Sequence, residues 1–333
     1  MRSLTEAEGR VIGTLLGGQH RTDRGGYTAA GVPRTTFQVV RQRAFDSGWI
    51  REGYIPNPAV FGGAKLDFRL RQPFAEEWVS DTRSGTSPGT LTVWGSPELI
   101  LTVTLLRGKE AELGEESRVI DNSAWEVRLT TDSASVLCYF DFEGAWSALG
   151  AGMPSRVYPR SFPVLNLPPR FRSSRGLTVV EREVVGLLSR PASGGGPVEP
   201  RRGFSFARLP RKLRRLFDYG AVDRRVIPDF RVVPPWHENR VATHTFVSGK
   251  FRAGSSSTGL FQDLIHGARV HPYLYASDKN TVLMAAVGLG VPLKSHAREK
   301  PLNVLIAHLD DIVVRRAPAS GFSQIVTPPH WQH

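Results

Sequence analysis

The sequence predicts an α+β fold made of two similar halves, and three observations support this prediction. Short segments near the start of each half repeat one another at a nearly constant distance along the chain. Each repeated region is followed by alternating stretches of strand-like and helix-like pattern. A proline-rich connector, PSRVYPRSFPVLNLPPR, separates the halves at residues 154–170. The chain of 333 residues is long enough to form several domains.

The repeat has two matching parts. LTEAEGRVIGTLL (4–16) and LTVVEREVVGLL (177–188) share Leu-Thr, then Glu three residues after Thr, then Gly five residues later. FDSGWIREGYIP (45–56) and FDYGAVDRRVIP (217–228) share Phe, Asp, Gly, Ile and Pro at the same places. The separation between the copies therefore differs by a single position from the first part to the second. The near-constant offset indicates a duplicated unit.

The first copy has the pattern of a helix, a short helix, a turn, a helix and a small hairpin. Thr5 can cap the first helix. The segment PRTTFQVVRQRAFDSG (33–48) predicts a longer helix with Pro33 in its first turn. The segment WIREGYIPNP (49–58) predicts two short strands around a turn near Gly53. This order is typical of a winged helix-turn-helix, whose third helix can lie in the DNA major groove.

The predicted third helix has side chains suited to base recognition. Phe37, Val40 and Ala44 recur at helical spacing and would face the core. The other face offers arginine for guanine and glutamine for adenine, and its threonines can contact phosphate or a thymine methyl group. The DNA-binding candidates of this copy, including one arginine of the hairpin, are Arg34, Thr35, Thr36, Gln38, Arg41, Gln42 and Arg51.

The second copy is more basic, and Pro210 should begin or kink its third helix. Arginine and lysine bind phosphates as readily as bases. We therefore expect this copy to contribute more to the affinity for DNA than to sequence specificity. Its DNA-binding candidates, the last two on the second hairpin, are Arg208, Arg211, Lys212, Arg214, Arg215, Arg224 and Arg225.

The net charge of +12 is unevenly distributed. Residues 171–235 carry +8, from 14 basic and 6 acidic side chains, and residues 1–62 carry +3, from 8 and 5. Residues 63–170 carry −3, from 11 and 14, and residues 236–333 carry +4, from 10 and 6. Basic charge gathered in the repeated segments suggests a polyanionic partner such as double-stranded DNA. The alternative is an ordinary solvated surface in an arginine-rich chain.

After each repeated region the pattern changes to β-α-β-β-α-β, which is the ferredoxin-like order. It is clearest in the second half, where the strand RVATHTFV is followed by the helix STGLFQDLIHG, two strands that meet at a turn at Asp278–Lys279, a second helix and the strand DIVVRRA. In the first half the two helices are predicted at 74–83 and 109–117. The predicted domains are winged helix 1 (1–62), a first ferredoxin-like domain (63–150), the linker (151–175), winged helix 2 (176–235) and a second ferredoxin-like domain (236–333).

A winged helix that leads into such a domain resembles the Lrp/AsnC (feast/famine) transcription regulators, here as a tandem duplication within one chain. In that family the hairpin between the second and third strands tends to carry Gly, two residues, then an acidic residue. This sequence has Gly95 and Glu98 in WGSPELIL, and Ser277 and Asn280 in the same places of ASDKNTVL. The resemblance implies a small effector, such as an amino acid, held near these four residues.

Enzymatic and metal sites are not expected. The nine histidines and single cysteine lack metal-ligand spacing, and no phosphate-binding loop or nucleophile elbow is present. We therefore expect a non-enzymatic transcription regulator without a cofactor. Two alternatives stay open. One is a siroheme-decarboxylase-like, tetrapyrrole-binding enzyme that uses His244, Arg252 and His271. The other is a plasmid replication initiator, which can also have two winged helices in one chain.

The sequence also predicts a cytoplasmic, nucleoid-associated protein. It has no run of eighteen apolar residues, and MRSLTEAEGR at its start has no apolar signal segment. Cys138 lies in an apolar run, which predicts a buried, inert thiol. Association with a membrane is not expected, whereas association of two chains as a homodimer is left open by the sequence.

Overall fold

A computed structural model shows a mixed α+β protein with antiparallel sheets. It describes residues 4–16, 23–56, 65–72, 90–96, 98–106, 125–132, 135–142, 146, 222–228, 242–268, 270–289, 295–318 and 323–325. The helices predicted at 74–83 and 109–117, the linker and the helices of the second repeat lie outside these residues. No helix among the described residues is both long enough and apolar enough for a bilayer.

Three helices open the chain: α1 (Glu6–Leu16), α2 (Asp23–Ala30) and α3 (Arg34–Asp46). Their apolar sides meet in a small core that contains Val11, Ala30, Val32, Phe37 and Val40. The approach of α2 to α3 requires a glycine, because a Cβ atom on Gly26 would lie 2.6 Å from Cζ of Phe37. The predicted order of helix, short helix and helix is therefore present.

The remaining described elements are strands with a few helices. Those of the first half are β1 (Ile50–Pro56), β2 (Lys65–Arg71), β3 (Thr90–Ser96), β4 (Leu99–Leu106), β5 (Glu126–Asp132) and β6 (Val136–Tyr139). Those of the second half are β7 (Val222–Pro228), β8 (Ala242–Phe251), α4 (Ser257–Gln262) continued by a π-helix (Asp263–Gly267), β9 (Pro272–Ser277), β10 (Thr281–Leu289), α5 (Ser295–His308), β11 (Leu309–Pro318) and β12 (Ser323–Ile325).

The strands form two five-stranded sheets. Sheet I has the order β11-β8-β10-β9-β6, and sheet II has the order β12-β3-β4-β2-β5. Four strands of each sheet come from one half of the chain. The fifth strand comes from the other half, because β6 joins sheet I and β12 joins sheet II. Each sheet is therefore completed by a short strand exchanged between the halves.

The two sheets arrange their own four strands in the same order. In sheet I, numbering the strands of the second half from β8, the order is fourth, first, third, second. In sheet II, numbering the strands of the first half from β2, the order is second, third, first, fourth. This is the strand order of sheet I read from the opposite edge of the sheet. Both sheets therefore have the first strand between the third and the fourth.

The small hairpin predicted at residues 49–58 is not formed, and this prediction is wrong. β1 runs without a turn through Gly53, and its partner in a two-stranded sheet is β7. β1 and β7 occupy the same places of the repeated segment, one in each copy. A glycine tolerates extended backbone as well as a turn, so pairing with the second copy outweighs the local turn signal.

The chain divides into two compact units, each of which draws on both halves. Unit 1 consists of residues 1–52, 137–164 and 225–320, and unit 2 of residues 53–136, 165–224 and 321–333. Sheet I and the N-terminal helices belong to unit 1. Sheet II belongs to unit 2. The domain boundaries given by the sequence stay predictions.

One face of sheet I packs on α4, the π-helix and α5. Leu260, Phe261 and Leu264 of the first two elements and Leu305 of α5 form a buried cluster with side chains of the strands. Cys138 belongs to the same cluster, and its Sγ donates to the carbonyl oxygen of Pro272 at 3.1 Å. The thiol is therefore buried, as the sequence predicts.

Candidate nucleic-acid interface

Helix α3 has one buried and one exposed side. Phe37, Val40 and Ala44 are buried, as their spacing predicts. The opposite side, which we name the outer face of α3, consists of Arg34, Thr35, Gln38, Val39 and Gln42, and all five are exposed. Their positions span less than half of the helix circumference, so they form one continuous surface.

The other two residues predicted on this helix lie at the edges of that surface. Thr36 and Arg41 are both half-buried. The amide nitrogen of Gln42 donates to Asp46 Oδ1 at 2.8 Å, which uses one of its two N–H groups. Its amide oxygen and second N–H group can therefore still face a ligand. Four of the six candidates that the sequence placed on α3 therefore share the outer face, and Thr36 and Arg41 flank it.

Val39 and Arg43 were not predicted as site residues from the sequence. Val39 is 57% exposed although it is apolar. Both residues, with Gln38, Gln42 and Asp46, line an open depression beside the helix. The sequence carried a signal for Val39, because a valine outside the 37-40-44 spacing must point away from the core.

A buried carboxylate holds α3 against α1. Glu8 Oε2 accepts from the backbone N–H of Thr5 at 2.8 Å, and Thr5 Oγ1 accepts from the N–H of Glu8 at 3.3 Å. This reciprocal pair is a capping box, which confirms Thr5 as the cap of α1. The other oxygen, Glu8 Oε1, accepts from Arg43 Nη1 at 2.8 Å. One side chain thus fixes the start of α1 and the orientation of α3.

The start of α3 favours negative charge. Pro33 occupies the N-cap position and supplies no side-chain cap to the first N–H groups of the helix. The helix dipole is positive at this end, and Arg34 adds a full charge. Phosphate oxygens would therefore be attracted to the same end of the outer face.

The remaining predicted DNA contacts are placed only in part. Arg51 lies on β1, and Arg224 and Arg225 lie on β7, so the three arginines belong to the two-stranded sheet and not to separate hairpins. The predicted contacts of the second helix lie outside the described residues; they are Arg208, Arg211, Lys212, Arg214 and Arg215.

The four predicted effector residues lie at the ends of two hairpins. Gly95 belongs to β3, where it is paired with Ile100 and Ser323, whereas Glu98 is exposed beside β4. Their binding role stays a prediction.

In the second hairpin, Ser277 is buried and its hydroxyl lies 2.6 Å from Ser257 Oγ. Asn280 is exposed, and its backbone N–H donates to Asp278 Oδ1 at 2.7 Å. These contacts give both residues a structural role at the predicted Asp278–Lys279 turn.

The residues predicted for a tetrapyrrole do not form one site. His244 is 1% exposed in β8, and its Nδ1 lies 3.2 Å from the hydroxyl of Tyr273. Burial lowers the pKa of His244 to about 3 and raises that of Tyr273 well above its usual value. Arg252 follows the far end of the same strand and pairs with Asp310 at 2.9 Å.

His271 directly precedes β9, at the same end of sheet I as His244, because Pro272 and His244 pair with the neighbouring residues Ala286 and Val287 of β10. Burial lowers its pKa, the nearby Asp141 raises it, and His266 lowers it. His271 is half-buried and His266 is exposed, so both imidazoles reach the surface. Within the described ranges, no three His, Cys, Asp or Glu side chains are grouped as a metal would require.

No protein-family model and no curated protein matches the chain. The crystal structure of the siroheme decarboxylase NirDL resembles it with a TM-score of 0.39 and 11% identity, covering 97% of this chain and 94% of that one. The structure of NirDL in co-complex with an iron-uroporphyrin III analogue resembles it with a TM-score of 0.37 and 10% identity, covering 92% and 90%. At these values the likeness assigns no activity to the chain.

One expectation from the sequence is nevertheless corrected. The chain was expected not to be an enzyme, and the two solved structures named above are of an enzyme. This finding contradicts the expectation, which no longer stands.

Proposed function

We propose that the chain is a double-stranded DNA-binding transcription regulator that reads bases with the outer face of α3. The observation that carries this proposal is the exposed surface of Arg34, Gln38 and Gln42 directly opposite the buried side of the helix. A helix of 13 residues is about 20 Å long and can lie in the major groove, which is about 12 Å wide.

The chemistry of the outer face matches base edges. Arg34 can pair with O6 and N7 of guanine, and Gln38 with N6 and N7 of adenine. Val39, exposed between the polar side chains, can contact a thymine methyl group. The fixed angle between α1 and α3, held by Glu8 and Arg43, would present this surface without a further ordering cost.

The strand order supports the finer part of the proposal. A first strand placed between the third and the fourth is the arrangement of a ferredoxin-like sheet, and it occurs in each half of the chain. We propose a tandem Lrp/AsnC-like regulator in which both repeats are joined through β1 and β7. Two reading elements in one chain would bind one duplex with higher affinity than either alone. Such a protein would lie on the nucleoid in the cytoplasm.

The proposal is tested by DNA binding of the full chain. A binding site would be selected from random duplexes, and its affinity measured by fluorescence anisotropy over a salt series. We expect Arg34→Gln and Gln38→Ala each to weaken binding to the selected site by about 1–3 kcal/mol, with a smaller loss on random DNA. Lys250→Gln is the matched control, because it removes one exposed positive charge that belongs to β8 and not to α3.

Two outcomes would contradict the proposal. One is that no sequence is enriched in the selection. The other is that Arg34→Gln and Lys250→Gln have equal effects on every duplex, which would indicate general charge attraction. Enrichment of a tandem array of identical sites would instead favour the replication initiator.

A tetrapyrrole-binding enzyme is the second candidate function. The surface imidazoles of His266 and His271 favour it, because imidazole nitrogens can ligate a haem-type iron. His244 does not fit this role, because it is enclosed in the interior. Titration with siroheme or haemin would produce a shifted Soret band that His271→Ala, but not Lys250→Gln, abolishes. A Soret band that is unchanged in His271→Ala would reject these imidazoles as ligands of the iron.

A further inference from the structure

One face of sheet II is polar, although the sheet has a buried apolar face on the other side. Leu66, Phe68 and Leu70 of β2 are buried, and the residues between them are charged. Residues directly opposite on neighbouring strands point to the same face. We name the polar face of sheet II by the polar side chains that share it: Lys65, Asp67, Arg69, Arg71, Thr102, Thr104, Glu126, Arg128, Thr130 and Asp132. Two buried apolar side chains of β4 lie at its ends, Ile100 opposite Arg71 and Leu106 opposite Lys65.

A buried carboxylate lies at the centre of this face. Asp67 is 0% exposed, and each of its oxygens accepts from an arginine Nε at 2.6 Å, Oδ2 from Arg69 and Oδ1 from Arg128. Oδ1 also accepts from the hydroxyl of Thr130 at 3.2 Å. Asp67 thus fixes both guanidinium groups through their inner nitrogens, and the four terminal nitrogens are left to face a ligand.

Arg69 and Arg128 are an unusual pair, because they lie directly opposite one another on β2 and β5. Like charges in this position are destabilising. The other opposite pairs on these strands combine unlike charges, Lys65 with Asp132 and Arg71 with Glu126. Asp67 balances one of the two arginines, so the centre of the face keeps one positive charge without a matching negative one among the described residues.

The two arginines are also accessible, with side chains 45% and 23% exposed. Hydroxyl groups flank them, because Thr102 lies opposite Arg69 and Thr104 lies opposite Asp67 on β4. Guanidinium groups fixed side by side, with hydroxyl donors next to them, provide the arrangement that binds a carboxylate or a phosphate through paired hydrogen bonds.

We propose that the polar face of sheet II binds a small anionic molecule through a carboxylate or phosphate group held between Arg69 and Arg128. Asp67 is a positioning residue, because it orients both guanidinium groups and balances one of their charges. The site is distinct from the hairpin ends that carry Gly95 and Glu98. It also does not depend on DNA binding by α3, so the two proposals can fail separately.

The probes are inorganic phosphate and acetate, titrated into the full chain by calorimetry at constant ionic strength. We expect saturable binding of at least one of them, with a dissociation constant of ~1 mM or lower. The better probe identifies the group, phosphate or carboxylate, that the site prefers. Arg128→Lys keeps the charge but loses the paired donors, so it should bind about tenfold more weakly. Arg69→Lys is a second variant with the same expectation.

Arg71→Gln is the matched control, because it lies on the same face and strand but opposite Glu126. It should bind within about twofold of the unchanged chain if the anion is held by the arginine pair. The proposal is overturned if neither probe shows saturable binding. It is equally overturned if Arg128→Lys and Arg69→Lys are both folded and Arg71→Gln weakens anion binding as much as they do. Duplex DNA affinity should be unchanged in all three variants, and a parallel loss would assign the face to DNA phosphates.

Discussion

Sheets I and II share one arrangement of strands but differ in how their faces are covered. In sheet I every residue of β9 is buried, and so are residues 282–287 of β10. In sheet II, β2 and β5 alternate between buried and exposed or half-buried residues, except at the buried Asp67. Sheet I is therefore closed on both faces at its centre, whereas sheet II has one apolar and one polar face.

The difference is chemical as well as geometric. Away from its helices, sheet I contacts a closed aromatic cluster, in which Tyr273 stacks on Phe140 and Phe142 and His244 stacks on Phe246. Sheet II instead carries the buried carboxylate of Asp67 between two accessible arginines. The two sheets thus share one topology, but one has a packed interior and the other a polar surface.

The largest effect is expected inside sheet I. Phe246→Ala should lower the free energy of unfolding by about 3–5 kcal/mol, because Phe246 is 1% exposed and its removal leaves a cavity. Urea unfolding followed by tryptophan fluorescence measures the loss. The control in sheet II is Thr102→Ala, which is half-buried on the polar face and should cost at most about 1 kcal/mol. Equal losses would remove the distinction between the sheets.

The sequence predicted the local elements well where pattern alone decides them. In sheet I, the strand RVATHTFV, the helical segment STGLFQDLIHG and the turn at Asp278–Lys279 occur close to the predicted places. Alternating burial in β2 follows directly from its alternating residues. Periodicity is a local property, so a single sequence suffices to read it.

The pairing between elements could not be predicted in this way. The sequence gives no local sign that β6 and β12 cross to the sheet of the other half, because strand exchange depends on which edges are free. The turn expected at Gly53 failed for the same reason, since the partner of β1 lies in the other copy of the repeat. The arginine pair of sheet II was missed, because only register places Arg69 opposite Arg128.

The second effect concerns the carboxylate at the centre of sheet II. Asp67→Asn should lower the free energy of unfolding by about 2 kcal/mol, because it leaves two neighbouring arginines without their shared counterion. The loss is below the range for fully buried pairs, since both arginines are partly exposed and water screens them. Urea unfolding of the variant checks the value. A loss as large as that of Phe246→Ala would show that sheet II depends on its polar centre as strongly as sheet I on its core.

The third effect is a pH dependence specific to sheet I. The pKa of His244 is lowered by burial from 6.5 to about 3, so the unfolded chain binds a proton more readily than the folded one. The stability is fully present above pH 6.5 and is lost as the pH falls from 6.5 towards 3. At pH 5 the loss should be about 2 kcal/mol.

His244→Leu should remove this part of the pH dependence, whatever it does to stability at pH 7. The control is His266→Gln, because His266 is exposed in the same unit. Unfolding free energies measured from pH 7 to pH 4 compare the slopes of the three proteins. A slope that is the same in His244→Leu and in the unchanged chain would contradict the assignment to His244.

The smallest effect is expected for a charged pair at the edge of sheet I. Lys250 Nζ lies 2.8 Å from Asp311 Oδ2, and the hydrogen bond with Asp311 raises the pKa of Lys250. Both side chains are about two-thirds exposed, at 65% and 68%, so water and salt screen their attraction. Asp311→Asn should therefore leave the unfolding midpoint unchanged within error at high salt, whereas Asp67→Asn should keep most of its effect there. If both variants lost their effect in salt, the carboxylate of Asp67 would be as hydrated as that of Asp311, and the arginines around it could not be held as a fixed pair.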